Sequence, residues 1–213
     1  MSSPPLFDPS RQPSPPAFGP PPWTLGPRWS PPSGPTLEIL PEGGGAFAAK
    51  YLALAGYLSA LAGTALVAVN TLVGRGDHEV AVWAGMALLF GGVTVYALAA
   101  MTWVYQSWRY LPPPYRRTAS GREVTPGWAL VGHLVPFYNL YWMFAQSLGY
   151  CEALDSVMVQ SGRSARAPKT LATVACVVQL VPYVSHLVGP ILWLAYMFLT
   201  DRVKAQLAAP RAG

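Results

Sequence analysis

Four long stretches of the chain contain no Asp, Glu, Lys or Arg: Tyr51 to Gly74, Val80 to Trp108, Val124 to Cys151, and Thr170 to Thr200. Crossing the hydrocarbon core of a bilayer takes roughly 20 predominantly apolar residues, in a helix that satisfies its own backbone hydrogen bonds. The pattern therefore predicts an all-α polytopic membrane bundle of about four transmembrane helices. The spans fall near 47–73, 80–106, 126–148 and 170–200, inside a helical membrane domain covering 46–207. The last stretch contains Pro182 and Pro190, and reads either as one kinked helix or as a tight hairpin of two short ones.

Local signals place the element ends. In the first helix, Gly56, Ala60, Thr64 and Ala68 form one row of small residues, and Ala55, Ser59 and Gly63 form an adjacent one. The second helix carries a similar stripe of Ala84, Ala87, Gly91 and Thr94. Such flat faces let helices approach closely in lipid, so the first two helices are expected to pack as an antiparallel hairpin, and these faces could also pair two copies of the chain. Pro112, Pro113 and Pro114 end the second helix. Thr125 followed by Pro126 has the chemistry of an N-cap and first helical position. Beyond Leu148 an amphipathic extension to Gly162 is expected, with Glu152 and Asp155 set against Leu154, Val157 and Met158.

Residues 1–45 differ sharply, holding fourteen of the 23 prolines and no apolar periodicity. They read as a disordered or polyproline-like cytoplasmic tail. Pro4-Pro5-Leu6-Phe7, Pro15-Pro16-Ala17-Phe18 and Pro21-Pro22-Trp23 repeat a small pattern that could dock in an aromatic groove of a partner protein. A plain spacer is the simpler reading. Residues 208–213 are expected to be a short C-terminal tail.

Charge adds a topology. Charged residues are 11% of the chain and the mean hydropathy is +0.30, against roughly 25% charged in a typical soluble domain. Eleven Arg and three Lys are scattered between the apolar stretches instead of clustering on one face, which argues against a nucleic-acid binder. With four spans, Arg11, Arg28, Lys50, four loop arginines, Arg202, Lys204 and Arg211 fall on one side, ten in all, and four basic residues fall on the other. The positive-inside rule then puts both termini in the cytoplasm. Trp103, Tyr105, Trp108, Trp128, Trp193 and Tyr196 gather at the same interface as an expected aromatic belt. The Arg-over-Lys bias and the Ala, Gly and Pro richness point to a GC-rich bacterial genome, and hence to the bacterial cytoplasmic membrane.

Thr125-Pro126-Gly127-Trp128-Ala129, leading into Leu134-Val135-Pro136-Phe137-Tyr138-Asn139-Leu140-Tyr141-Trp142-Met143-Phe144, resembles a bacterial multi-pass membrane family catalogued as domain of unknown function 4328. The resemblance covers roughly 50–207, with His133 and Leu134 departing from the expected aromatic or apolar pair. It implies a fold and a location, and no catalytic residues.

Leu134-Val135-Pro136-Phe137 recurs as Leu180-Val181-Pro182-Tyr183. The two proline breaks could face one another across a cavity lined by Asn139, Gln179 and His186, as broken helices do in transporters, or could simply kink their helices. Gln179, His186 and Trp193 share one face if the helix survives Pro182. His133 reads as a proton relay or, more simply, as an interhelical contact. Arg109, Arg116, Arg117 and Arg122 are candidate contacts to anionic headgroups. Cys151 and Cys176 suggest neither a disulfide framework nor a metal site, and no cofactor is implied. No Ser/Lys, paired Asp or HExxH arrangement supports an enzyme. Two functions follow: a non-enzymatic membrane scaffold or adaptor with a proline-rich interaction tail, and alternatively a small-solute transporter or channel built on the breaks at Pro136 and Pro182.

Overall fold

The computed structural model describes residues 44–73, 79–118 and 120–208. The proline-rich tail, the loop after Val73 and the C-terminal tail lie outside these residues.

The described residues form seven α-helices and one 3-10 turn, with a single isolated bridge between Arg117 and Glu123. The helices are α1 (Gly44–Val73), α2 (Glu79–Tyr110), α3 (Pro126–Leu134), α4 (Tyr138–Gln160), α5 (Lys169–Gln179), α6 (Val184–Leu187) and α7 (Gly189–Ala208), and the 3-10 turn is Pro113–Tyr115. Thr125 caps α3 as expected, its Oγ1 accepting from Trp128 N at 3.1 Å.

Two helices are long and apolar enough to cross a membrane, Ala48–Val73 and Glu79–Tyr110. They pack against each other along a glycine seam with a seven-residue repeat. A Cβ on Gly63 would lie 2.5 Å from the Gly85 carbonyl oxygen, and one on Gly92 would lie 2.5 Å from that of Gly56. No side chain fits there, so the backbones approach directly. Gly56, Ala60 and Gly63 of the expected rows make this contact, whereas Thr64 and Ala68 are exposed. On α2 the seam is Gly85 and Gly92. The expected stripe of Ala84, Ala87, Gly91 and Thr94 faces outward, and a Cβ on Gly91 would meet nothing within 4 Å.

The expected third and fourth spans are not continuous helices. The chain reverses at 135–137, and Trp142 Nε1 on α4 donates back to Ala129 O on α3 at 3.0 Å. It reverses again at 180–183, where Gln179 at the end of α5 lies against Gly189 at the start of α7. At about 1.5 Å per residue, α3 and α5 reach only some 14 and 16 Å, half of a bilayer core of roughly 30 Å. Each of these stretches is therefore a helical hairpin that enters and leaves at one end of the bundle. The hairpin alternative for 170–200 is the one the chain adopts, and the same geometry governs 126–160.

The two reversals are built alike. Phe137 (φ 59°, ψ −41°) and Tyr183 (φ 65°, ψ −49°) each centre a γ-turn, closed by Tyr138 N to Pro136 O at 2.6 Å and by Val184 N to Pro182 O at 2.8 Å. The next bonds also match, with Asn139 N to Val135 O at 2.9 Å and Ser185 N to Val181 O at 3.0 Å. The repeated Leu-Val-Pro-aromatic word thus encodes a repeated turn.

Folding back moves the charges. Links from Lys50 to Asp201, Tyr110 to Lys204, Tyr115 to Gln160 and Lys169 to Glu152 bring the start of α1 and the ends of α2, α4 and α7 to one end. Arg163, Arg166 and Lys169, which four spans would place opposite, therefore join Lys50, the arginine loop, Arg202 and Lys204.

Candidate functional site

At this basic end an acid lies inside the protein. Asp201, in the last turns of α7, is fully buried, and Lys50 and Lys204 beside it are 6% and 3% exposed. Lys50 Nζ sits 3.0 Å from Asp201 Oδ2, and Lys204 Nζ lies 2.5 Å from Oδ1, which also accepts from Trp103 Nε1 at 3.1 Å. Lys204 further donates to Ser107 Oγ at 3.2 Å. Both ammonium groups lie near aromatic rings, Lys204 5.0 Å from the centre of Trp103 and Lys50 5.1 Å from that of Phe198.

The cluster ties α1, α2 and α7 together and carries a net charge of one positive unit. Each charge faces an opposite one, and the Trp103 indole adds a hydrogen bond to Oδ1, whereas Oδ2 has Lys50 as an ion-pair partner and no aligned hydrogen bond among the described residues. Chemically it is a clamp. Its carboxylate is surrounded by two ammonium groups and an indole N–H.

Aromatic rings pack beside the clamp. Trp103 meets Tyr196 at 5.6 Å and Tyr150 at 6.4 Å, and Trp108 meets Tyr150 at 5.6 Å, all edge to face. Trp108 Nε1 donates to Gln146 Oε1 at 2.9 Å. Trp103, Trp108 and Tyr196 are each at most 2% exposed. They are core residues and not the expected belt anchors, while Tyr105 and Trp128 do face outward. These rings line a cavity of about 10 Å³, room for roughly one water molecule. Cys151 and Cys176 are buried and free, with Cys151 Sγ 3.5 Å from Tyr196 Oη. Among the described residues no group of three or more His, Cys, Asp or Glu is placed to hold a metal ion.

The candidate cavity residues are not gathered in this way. Pro136, Pro182 and His186 are exposed at or next to the two turns, and His186 Nδ1 lies 3.3 Å from Ser185 Oγ of its own turn. Gln179 is spent against Gly189, and His133 Nδ1 lies 2.9 Å from Ala129 O, one turn back in α3. Asn139 Oδ1 is buried at the first turn and accepts no hydrogen bond among the described residues. The break at 180–183 also separates Gln179 from His186 and Trp193, so they share no helix face.

Two of the loop arginines are engaged within the chain. Arg116 donates to Leu111 O at 2.8 Å and Arg109 O at 3.0 Å, and burial together with the Arg109 charge pushes its guanidinium down from its ordinary range. Arg117 pairs with Glu123 at 3.0 Å. Arg109 and Arg122 remain exposed. Nearby, Tyr115 bonds Gln160, and burial pushes its phenol up while that bond opposes the shift.

Sequence reasoning missed the clamp because its members border the uncharged stretches and read as interface charges. Lys50 immediately precedes the first stretch and Asp201 immediately follows the last, with Lys204 three residues on. That spacing, a lone acid at a span end with a base one helical turn away, is the one signal available. Compared with known proteins, the chain matches no family model, no curated protein and no solved structure.

Proposed function

We propose that this chain is a non-enzymatic integral membrane scaffold or adaptor. Its helical bundle sits in the bilayer with α1 and α2 as full spans and two hairpins inserted from the basic end. The observation that supports this reading is an inverted distribution of polarity. Charge is clamped in the interior at Lys50, Asp201 and Lys204, while Leu72, Val80, Trp83, Phe90, Leu98, Phe137 and Tyr183 stand more than half exposed. In water such an apolar surface would be a severe aggregation liability, whereas in lipid it is the expected exterior.

The basic end faces the cytoplasm on this reading, with Arg109 and Arg122 free to meet anionic headgroups. The proline-rich segment precedes α1 in the sequence and serves as the recruiting element. A solvated cavity shared by the two proline turns would favour the transporter alternative, but Pro136, Pro182 and His186 are exposed, Gln179 packs against Gly189, and only Asn139 keeps a buried oxygen without a hydrogen bond among the described residues. Membership in the domain of unknown function 4328 family is proposed on the words at Thr125 to Phe144.

The test is co-purification from native membranes in mild detergent, comparing the full chain with one lacking Met1 to Glu42. Loss of a stoichiometric partner together with the tail, while membrane insertion is retained, supports the adaptor. Equal recovery without the tail overturns it, and uptake of a solute into proteoliposomes would favour the alternative.

A further inference from the structure

The cross-section of the bundle changes along its length. At the basic end six long or half-length helices lie side by side: α1, α2, α3, α4, α5 and α7. Tyr57 Oη donates to Leu187 O at 2.9 Å, which sets the tip of the second hairpin level with Tyr57 on α1, where the ring of Tyr96 on α2 is 6.4 Å away. Beyond that level the described chain consists of α1 and α2 alone. Along Leu58–Val73 and Glu79–Val95 only Ala60, Gly63, Gly85 and Gly92 are buried, all of them in the seam between the two helices. On the other side of Tyr57, by contrast, Ala49, Ala53, Ala99, Trp103, Val104 and Trp108 are all covered.

From this taper we infer that the described helical bundle is a wedge whose partner is a curved lipid surface. The inference rests on the membrane reading above and adds a preference to it. With helices about 10 Å across, six displace roughly three times the area of two. The leaflet at the basic end must spread around six helices and the opposite leaflet around two, so the lipids of the opposite leaflet close over the hairpin tips. Phe137 and Tyr183, 89% and 86% exposed at those tips, present aromatic rings to the acyl chains, the ring of Tyr183 ending in a hydroxyl. All ten basic residues described lie at the broad end, which fixes that end to an anionic headgroup layer. The wedge therefore favours membranes that bulge toward the basic end.

The full chain, carrying a fluorophore on a C-terminal tag, is reconstituted into vesicles of phosphatidylcholine and phosphatidylglycerol spanning small sonicated to large extruded sizes. Protein per lipid area is read vesicle by vesicle, with protease access to the tag reporting orientation and stepwise bleaching reporting copy number. Copies with the basic end outward should be several-fold denser on the small vesicles, and copies with it inward several-fold sparser. A density independent of diameter overturns the wedge. If that result comes with two-step bleaching, a second copy fills the space beneath the tips. Failure of the protein to float with vesicles overturns the membrane reading as well, so the two failures are distinguishable.

Discussion

Gly63 of α1 and Gly85 of α2 touch backbone to backbone, so closely that a Cβ on Gly63 would sit 2.4 Å from Leu89 N as well as 2.5 Å from Gly85 O. Neither neighbour is a side chain that could swing aside, so any substitution must part the helices. Gly63→Leu is expected to cost about 1–3 kcal/mol or more, measured as unfolding in detergent micelles followed by tryptophan fluorescence. Gly91→Leu, on the open face of α2, should leave the midpoint unchanged. Equal effects at both positions would refute the seam.

Asp201 sits between two buried ammonium groups, and removing it leaves both uncompensated. Asp201→Leu should destabilise the protein by about 3–5 kcal/mol. Combining it with Lys50→Met and Lys204→Met should recover much of that loss, because the charges leave together. The same micelle unfolding assay reads both variants. A single variant as stable as the parent would show that the clamp is not formed.

The two γ-turns hold aromatic residues at positive φ, a region that costs a non-glycine residue about 1–3 kcal/mol. Their side chains are exposed and contribute little packing within the chain. Phe137→Gly and Tyr183→Gly should therefore each hold or raise the unfolding midpoint, whereas Phe137→Ala should not raise it. Loss of stability in both glycine variants would argue that the turns are not formed as described.

Topology separates two full spans plus two hairpins from four full spans directly. In a background with Cys151 and Cys176 replaced by Ala, Ser164→Cys should react with an impermeant maleimide from the same side of the membrane as Arg122→Cys. Four spans would place these two positions on opposite sides.

The pairing of α1 with α2 was legible in the small-residue rows of α1, which include Gly56, Ala60 and Gly63, although the α2 stripe read beside them, Ala84 to Thr94, faces outward; capping chemistry at Thr125 and the three prolines after Leu111 act locally and were legible too. The reversal inside 126–148 was not, and the one inside 170–200 was legible only as one of two alternatives. A turn in water is marked by Gly, Asn, Asp or Ser, which satisfy polar backbone next to solvent. These turns instead read Leu-Val-Pro-Phe and Leu-Val-Pro-Tyr, so their hydropathy is that of an unbroken span. The repeated word was the visible clue, and only tertiary structure distinguishes a kink from a reversal. The partners of Asp201 were invisible for a related reason: Lys50 and Trp103 come from helices 151 and 98 residues away in sequence.

The shared end of both hairpins has a consequence for biosynthesis. A chain of four spans would have to carry Arg163, Arg166 and Lys169 across the bilayer during insertion, against the positive-inside bias. On the membrane reading proposed above, both hairpins return to the side they entered and none of these residues crosses. The same reading leaves the link between α1 and α2 as the segment to be translocated, with Arg75 and Asp77 as its charged residues and Glu79 just beyond it at the start of α2. On that reading the leading helical pair is delivered in one event, after which the remaining helices fold against it from the side on which they were made.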